Sequence, residues 1–118
     1  MGEEEVASRE TSMPVIDTAD LRVLEKRPGW RGRLVHSAHM TFAHWEFDAG
    51  ANIHEHDHIQ EEVWHVIEGR LEMTIGEERC IAGPGMVAIV PPHTRHSVKA
   101  LTGGKAIVAD FPTRPEFG

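Results

Sequence analysis

The chain has 118 residues, 40% of them hydrophobic, with 12 Lys and Arg against 19 Asp and Glu for a formal net charge of −7. That length sets one domain around one core and excludes a multidomain enzyme, and the negative surface repels phosphate backbones and anionic head groups, so no nucleic-acid or membrane role is expected. No apolar stretch approaches the roughly 18 to 20 residues that span a bilayer, the start is acidic rather than a secretion signal, and the single cysteine, Cys80, cannot close an internal disulfide; a cytoplasmic location is the expectation.

Residues 1–13 carry Glu3, Glu4, Glu5 and Glu10 against one Arg9, without apolar periodicity. They read as a flexible acidic tail, and residues 14–118 read as the folded domain. From Pro14 onward short β-rich runs alternate with turn signals at Pro28-Gly29, Asp48-Ala49-Gly50, Glu68-Gly69, Gly76, Gly83-Pro84-Gly85, Pro91-Pro92 and Gly103-Gly104. The runs are 33–47, 53–58, 62–68, 70–75, 78–81, 86–90, 95–101 and 105–111. Nothing in the interior reads as a helix, and the spacing of the runs favours an all-β sandwich or barrel. Ala43, Trp45 and Phe47 form an apolar stripe for the core or a dimer face. In 70–75, Leu71, Met73 and Ile75 alternate with Glu72 and Thr74, so one face packs, and a glycine-turned hairpin with the preceding strand is expected. Cys80 has no base beside it in sequence and reads as a buried, inert thiol.

Nine histidines are present, four of them between positions 54 and 65. Extended geometry over Ile53 to His58 sends His54, His56 and His58 to one face and Glu55 and Asp57 to the other. Acidic groups facing water are ordinary, so the histidine face is expected to point inward, where imidazoles need partners. In the next run Glu62, Trp64 and Val66 share a face, which adds a carboxylate to the cluster if the two faces coincide. Imidazole with carboxylate suits one divalent transition ion, Fe, Mn, Ni, Zn, Co or Cu, whereas Ca and Mg prefer oxygen alone. Histidines at i and i+2 on a strand have Cα atoms roughly 6.5 Å apart, so both rings can reach one ion at about 2.1 Å.

Gly50-x5-His56-x-His58-x3-Glu62-x6-Gly69 resembles the first motif of the cupin superfamily without a mismatch, and Gly85-x5-Pro91-x-His93-x2-His96 resembles the second. The resemblance extends over about residues 20–118 with the flanking strands, and it implies a double-stranded β-helix, the RmlC-like jelly-roll barrel. It also implies that His56, His58, Glu62 and His96 form the ligand set of a mononuclear metal cupin. Two positions depart from the pattern: His93 stands where the family has glycine, and Ala100 where it has asparagine. His93 reads either as an exposed loop residue or as an extra ligand or acid/base, and His54 as a pocket-lining or plain structural histidine. Trp64 is either the floor of a substrate pocket or simply core. Phe111-Pro112-Thr113-Arg114 resembles, one residue short, the aromatic-Pro-Arg tail of small cupins that linearise unsaturated uronates; Arg114 is a substrate-binding candidate set against a surface arginine.

A metal held by three imidazoles and a carboxylate keeps two open positions, which makes a metal-dependent oxygenase or isomerase acting on a small oxygen-rich or aromatic substrate the first reading. A non-catalytic small-molecule binding or sensing module is the alternative. A metal-free, epimerase-like cupin is a third reading, disfavoured by the intact tetrad. Small cupins commonly pair through edge strands, so a homodimer is expected.

Overall fold

The computed structural model describes residues 14–115; the acidic segment 1–13, expected as a tail, and residues 116–118 lie outside the described residues. A single 3-10 turn at Thr18–Asp20 precedes ten strands: β1 (Leu24–Arg27), β2 (Trp30–His36), β3 (Thr41–Phe47), β4 (Asn52–His56), β5 (Glu61–Glu68), β6 (Leu71–Ile75), β7 (Glu78–Ala82), β8 (Val87–Val90), β9 (His96–Ala100) and β10 (Gly104–Phe111). They form two antiparallel sheets, one ordered β1-β2-β3-β10-β5-β8 and the other β4-β9-β6-β7. This is the expected all-β double-stranded barrel. No helix among the described residues is long and apolar enough to cross a membrane.

Period-2 patterning places the core where the sequence puts it. Glu62, Trp64 and Val66 of β5 and Leu71 and Met73 of β6 are buried, while His65, Ile67 and Glu68 are exposed. Trp30 from β2 fills the barrel between Phe47 and Trp64, with ring centroids 5.4 and 5.9 Å away. Ala43 and Phe47 are core, whereas Trp45 is half-buried with its ring across Gly32, where an added Cβ would lie 2.5 Å from the indole. A burial of this kind is worth about 1.5 to 3 kcal/mol per large side chain before entropy is subtracted.

Four expectations need correcting. The run 33–47 is two strands, because Ser37 and Met40 close a turn: Ser37 N–H donates to Met40 O at 2.8 Å and Met40 N–H to Ser37 Oγ at 3.0 Å. A serine hydroxyl here does what glycine or proline does elsewhere, which pattern reading overlooks. Strand β1 was not expected at all; its polar Leu-Glu-Lys-Arg has no alternating signature, and it is held by irregular pairing to β2 at Leu24↔Gly32 and Arg27↔Trp30. The Glu68-Gly69 turn does not close a hairpin, since β5 lies in the six-stranded sheet and β6 in the four-stranded one, paired to β7 and β9. Gly69 at φ 82 instead carries the chain from sheet to sheet, and a Cβ there would collide with the carbonyl oxygen of Gly103. Finally, Cys80 is exposed, on the edge strand β7 where Glu78, Arg79, Cys80 and Ile81 all meet solvent.

His93 adopts the left-handed conformation, φ 58, and its backbone N–H donates to His58 O at 2.8 Å. The conformation the family's glycine supplies is thus kept with a Cβ in place, at a cost of about 1 to 2 kcal/mol. His93→Gly is expected to raise unfolding free energy by up to about 1 kcal/mol, part of the relief being lost to the freer unfolded chain; urea denaturation showing no gain would remove the strain assignment. Met73→Ala, at a fully buried site, is expected to cost about 2 to 5 kcal/mol in the same measurement.

Candidate metal centre

The centre is assembled across the two sheets. His56 ends β4 and faces His96 at the start of β9 in register. The β4–β9 register shifts between Ile53 and His56, so Ile53 and His56 both turn inward and His54 and Glu55 both turn outward. His58 follows in the loop after β4. Glu62 enters from β5 in the opposite sheet, next to buried Asp110 of β10, its register partner.

All three imidazoles are oriented the same way. Nδ1 of His56 lies 2.9 Å from His54 O, Nδ1 of His58 3.1 Å from Gln60 O, and Nδ1 of His96 2.8 Å from Thr94 O. A carbonyl oxygen only accepts, so each Nδ1 carries the proton and each neutral ring presents a bare Nε2 lone pair. The Nε2 atoms of His58 and His96 are buried with no hydrogen-bond partner. Ring centroids are 4.3 Å apart for His56 and His96, 4.8 Å for His58 and His96, and 5.5 Å for His56 and His58. Oε2 of Glu62 stands 3.6 Å from His58 Nε2, and Oε1 stands 3.5 Å from His96 Nε2, ion-pair separations that fall short of hydrogen bonds.

The remaining contacts hold Glu62 in place. Trp64 Nε1–H donates to Oε1 at 2.7 Å and the Arg114 guanidinium to Oε2 at 3.1 Å. Burial alone would raise the Glu62 carboxyl, but its contacts with His96, Asp110 and Trp64 and the charge of Arg114 hold it well below the usual carboxylate range. Burial pushes His56 and His58 down, with the Arg114 charge adding to the effect at His58. At His96 burial also acts downward, and the adjacent Glu62 carboxylate outweighs it, raising the imidazole. An anionic carboxylate facing imidazoles with outward Nε2 lone pairs is a donor set that suits a divalent transition ion. The ligand atoms of His56, His58 and His96 lie within 4.8 Å of one another, as do those of His58, Glu62 and Asp110.

A cavity of about 250 Å³ adjoins this cluster. His56, Glu62 and His96 line it, with Trp30, Leu34, Trp45, Trp64, Val98 and Val108 as apolar walls and Lys26, Arg27 and Arg114 as cations. Trp64 is core against Trp30, and its indole also walls the cavity while anchoring Glu62. Arg114 is 5% exposed, not on the surface. It is tied in by its backbone N–H to Thr41 Oγ1 at 2.8 Å and by Gln60 Nε2 donating to Thr113 O at 3.0 Å. His54 and His93 are exposed and outside the cavity lining; His54 O holds His56, with the two rings 6.3 Å apart, and His93 N–H holds His58 O. Sequence reading missed Asp110, although alternation along β10 places it inward with Ala106 and Val108, a lone carboxylate on an apolar face. It also missed Arg27, on the strand that carried no signal.

The sequence pattern of the cupin domain matches residues 43–111. No curated protein matches the chain. Among solved structures, an RmlC-like cupin from Shewanella frigidimarina NCIMB 400 superposes with a TM-score of 0.84 at 23% identity, covering 91% of this chain and 97% of that one. KdgF from Halomonas sp. gives 0.80 at 24% identity, over 86% and 97% of the two chains. Bacillus subtilis oxalate decarboxylase, a protein with Mn(II) centres, gives 0.73 at 21% identity, over 82% of this chain and 29% of its own. At these identities the likeness is one of fold. With the cupin pattern covering more than half of its length, and with the barrel built as described, the chain belongs to the cupin family.

Proposed function

We propose that His56, His58, His96 and Glu62 hold one divalent transition ion, and that the chain is a metal-dependent enzyme of oxygenase or isomerase type acting on a small anionic, oxygen-rich or aromatic substrate. The observation that carries this reading is the pair of buried Nε2 lone pairs on His58 and His96, oriented by backbone carbonyls and left without a proton donor. An orphaned buried acceptor costs about 1 to 3 kcal/mol, and a cation removes that cost. The Mn(II) centres of a protein sharing the fold support the same reading. When bound, the ion supplies a Lewis acid and, if redox-active, access to dioxygen chemistry.

The chain's own residues do the rest. Trp64 and Arg114 fix the two oxygens of Glu62, so the carboxylate is oriented before any ion arrives. The apolar walls exclude water and strengthen every charge interaction in the cavity. Asp110, buried beside Glu62, is one of the contacts that hold the Glu62 carboxyl low, so the carboxylate is anionic despite its burial.

Elemental analysis of untagged protein is expected to find about one transition metal per chain. His96→Ala is expected to weaken uptake by at least about a hundredfold, and Glu62→Gln to weaken it while keeping the side chain's shape. A chelator is then expected to lower the melting temperature of the wild type and leave His96→Ala unmoved, because only a bound native state is stabilised by mass action. Wild-type protein that takes up no Mn, Fe, Co, Ni, Cu or Zn overturns the centre; metal-loaded protein that binds small acids without turnover keeps the centre and makes the chain a binding module. The ligands bind as neutral imidazoles, so protons compete with the ion. Uptake is expected to weaken progressively as pH falls, with His96, raised by Glu62, the first ligand to protonate and His56 and His58, lowered by burial, the last. Titration of Co(II) uptake by absorbance at stepped pH measures this, and uptake that strengthens on acidification contradicts it.

A further inference from the structure

The cavity beside the metal centre is unbalanced in charge. In a protein of net charge −7, its wall carries Lys26, Arg27 and Arg114 against a single carboxylate, Glu62. Arg114 is already spent on Glu62, at 3.1 Å. Arg27, half-buried on β1, has no hydrogen bond or ion pair from its guanidinium among the described residues. Burial and the neighbouring Arg114 charge both push its proton affinity down, and Glu62 offsets them only in part. A half-buried guanidinium facing a second one is unfavourable unless an anion joins them.

We propose that Arg27 is the anchor of an anion subsite in this cavity, which receives the carboxylate of a small organic acid and sets its body against the Trp30, Leu34 and Trp45 walls. The guanidinium fork accepts a carboxylate through two parallel hydrogen bonds. The cavity, at about 250 Å³, lies below the range of drug-sized pockets, roughly 300 to 1,000 Å³, so the occupant is compact. Its apolar walls suit an acid with an apolar or aromatic body better than a heavily hydroxylated phosphate ester. The inference rests on the reading of this cavity as the chamber of the metal centre and names its substrate class, yet Arg27 makes no hydrogen bond or ion pair with any of the four ligands.

The two are separable by calorimetry on the full chain, first stripped with chelator and then loaded with Co(II). The probes are benzoate, phenylacetate and succinate, the neutral benzamide, and inorganic phosphate. In the metal-free chain at least one acid is expected to bind about tenfold more tightly than benzamide. Arg27→Met is expected to erase that preference, and Arg27→Lys to keep part of it, with both variants still taking up Co(II). The proposal is overturned if acids and benzamide bind alike, if Arg27→Met binds acids as the wild type does, or if none binds at millimolar concentration. Phosphate binding more tightly than every acid overturns the carboxylate assignment. Should Co(II) fail to load in wild type and variants alike, the metal reading falls, while the Arg27 comparison is still decided on the metal-free chain.

Discussion

Three imidazoles are each held by a hydrogen bond from Nδ1 to a backbone carbonyl two residues away, and this single constraint organises the site. It removes the freedom of each ring to flip or change tautomer, and it forces the unprotonated nitrogen into a place where no donor waits. Such an arrangement is costly in a metal-free protein and favourable around a cation. Glu62 is treated in the matching way. Both of its oxygens are engaged by donors, Trp64 and Arg114, so it stays ionised despite burial.

The barrel topology makes this possible because neither sheet could build the cluster alone. His56 and His96 come from adjacent strands of the smaller sheet, and Glu62 and Asp110 are opposite one another in the larger. The register shift in β4 turns His56 inward right after Ile53, and the left-handed His93 binds the loop before His96 to the loop carrying His58. Closure of the two sheets on the aromatic cluster of Trp30, Phe47 and Trp64 then sets the distance across which the four side chains meet. Core packing and site geometry are joined at Trp64, whose ring belongs to the first and whose N–H belongs to the second.

How much of this was legible in the sequence depended on whether the signal was local. The spacing of His56, His58, Glu62 and His96 is a motif, and the structure gathers those four side chains. The alternation in β5 and β6 is likewise local and correct. Pairing partners are not local: the glycine turn at Gly69 looks like a hairpin from its neighbours, and only the closed barrel shows that it switches sheets. Extended alternation placed His54 beside His56, and a β-bulge, which has no composition of its own, displaced it. Strand β1 has no hydrophobic pattern because it works as an edge with charged side chains, and so Arg27 was invisible until the sheet order placed it over the cavity.

Charge balance explains why a carboxylate stands among the imidazoles. Three neutral rings around a divalent ion would leave two positive charges beside Arg27 and Arg114 in a cavity walled by indoles, where repulsion is weakly screened. Glu62 would lower that charge by one, and its ion pair with Arg114 is already in place without the ion. In the proposed centre the remaining positive charge, set inside a protein of net charge −7, would favour a small anion in the cavity. Arg27 would leave part of that charge unmatched even with Glu62 paired to Arg114, so in this proposal the ligand set and the cavity's preference for an anion share one electrostatic origin.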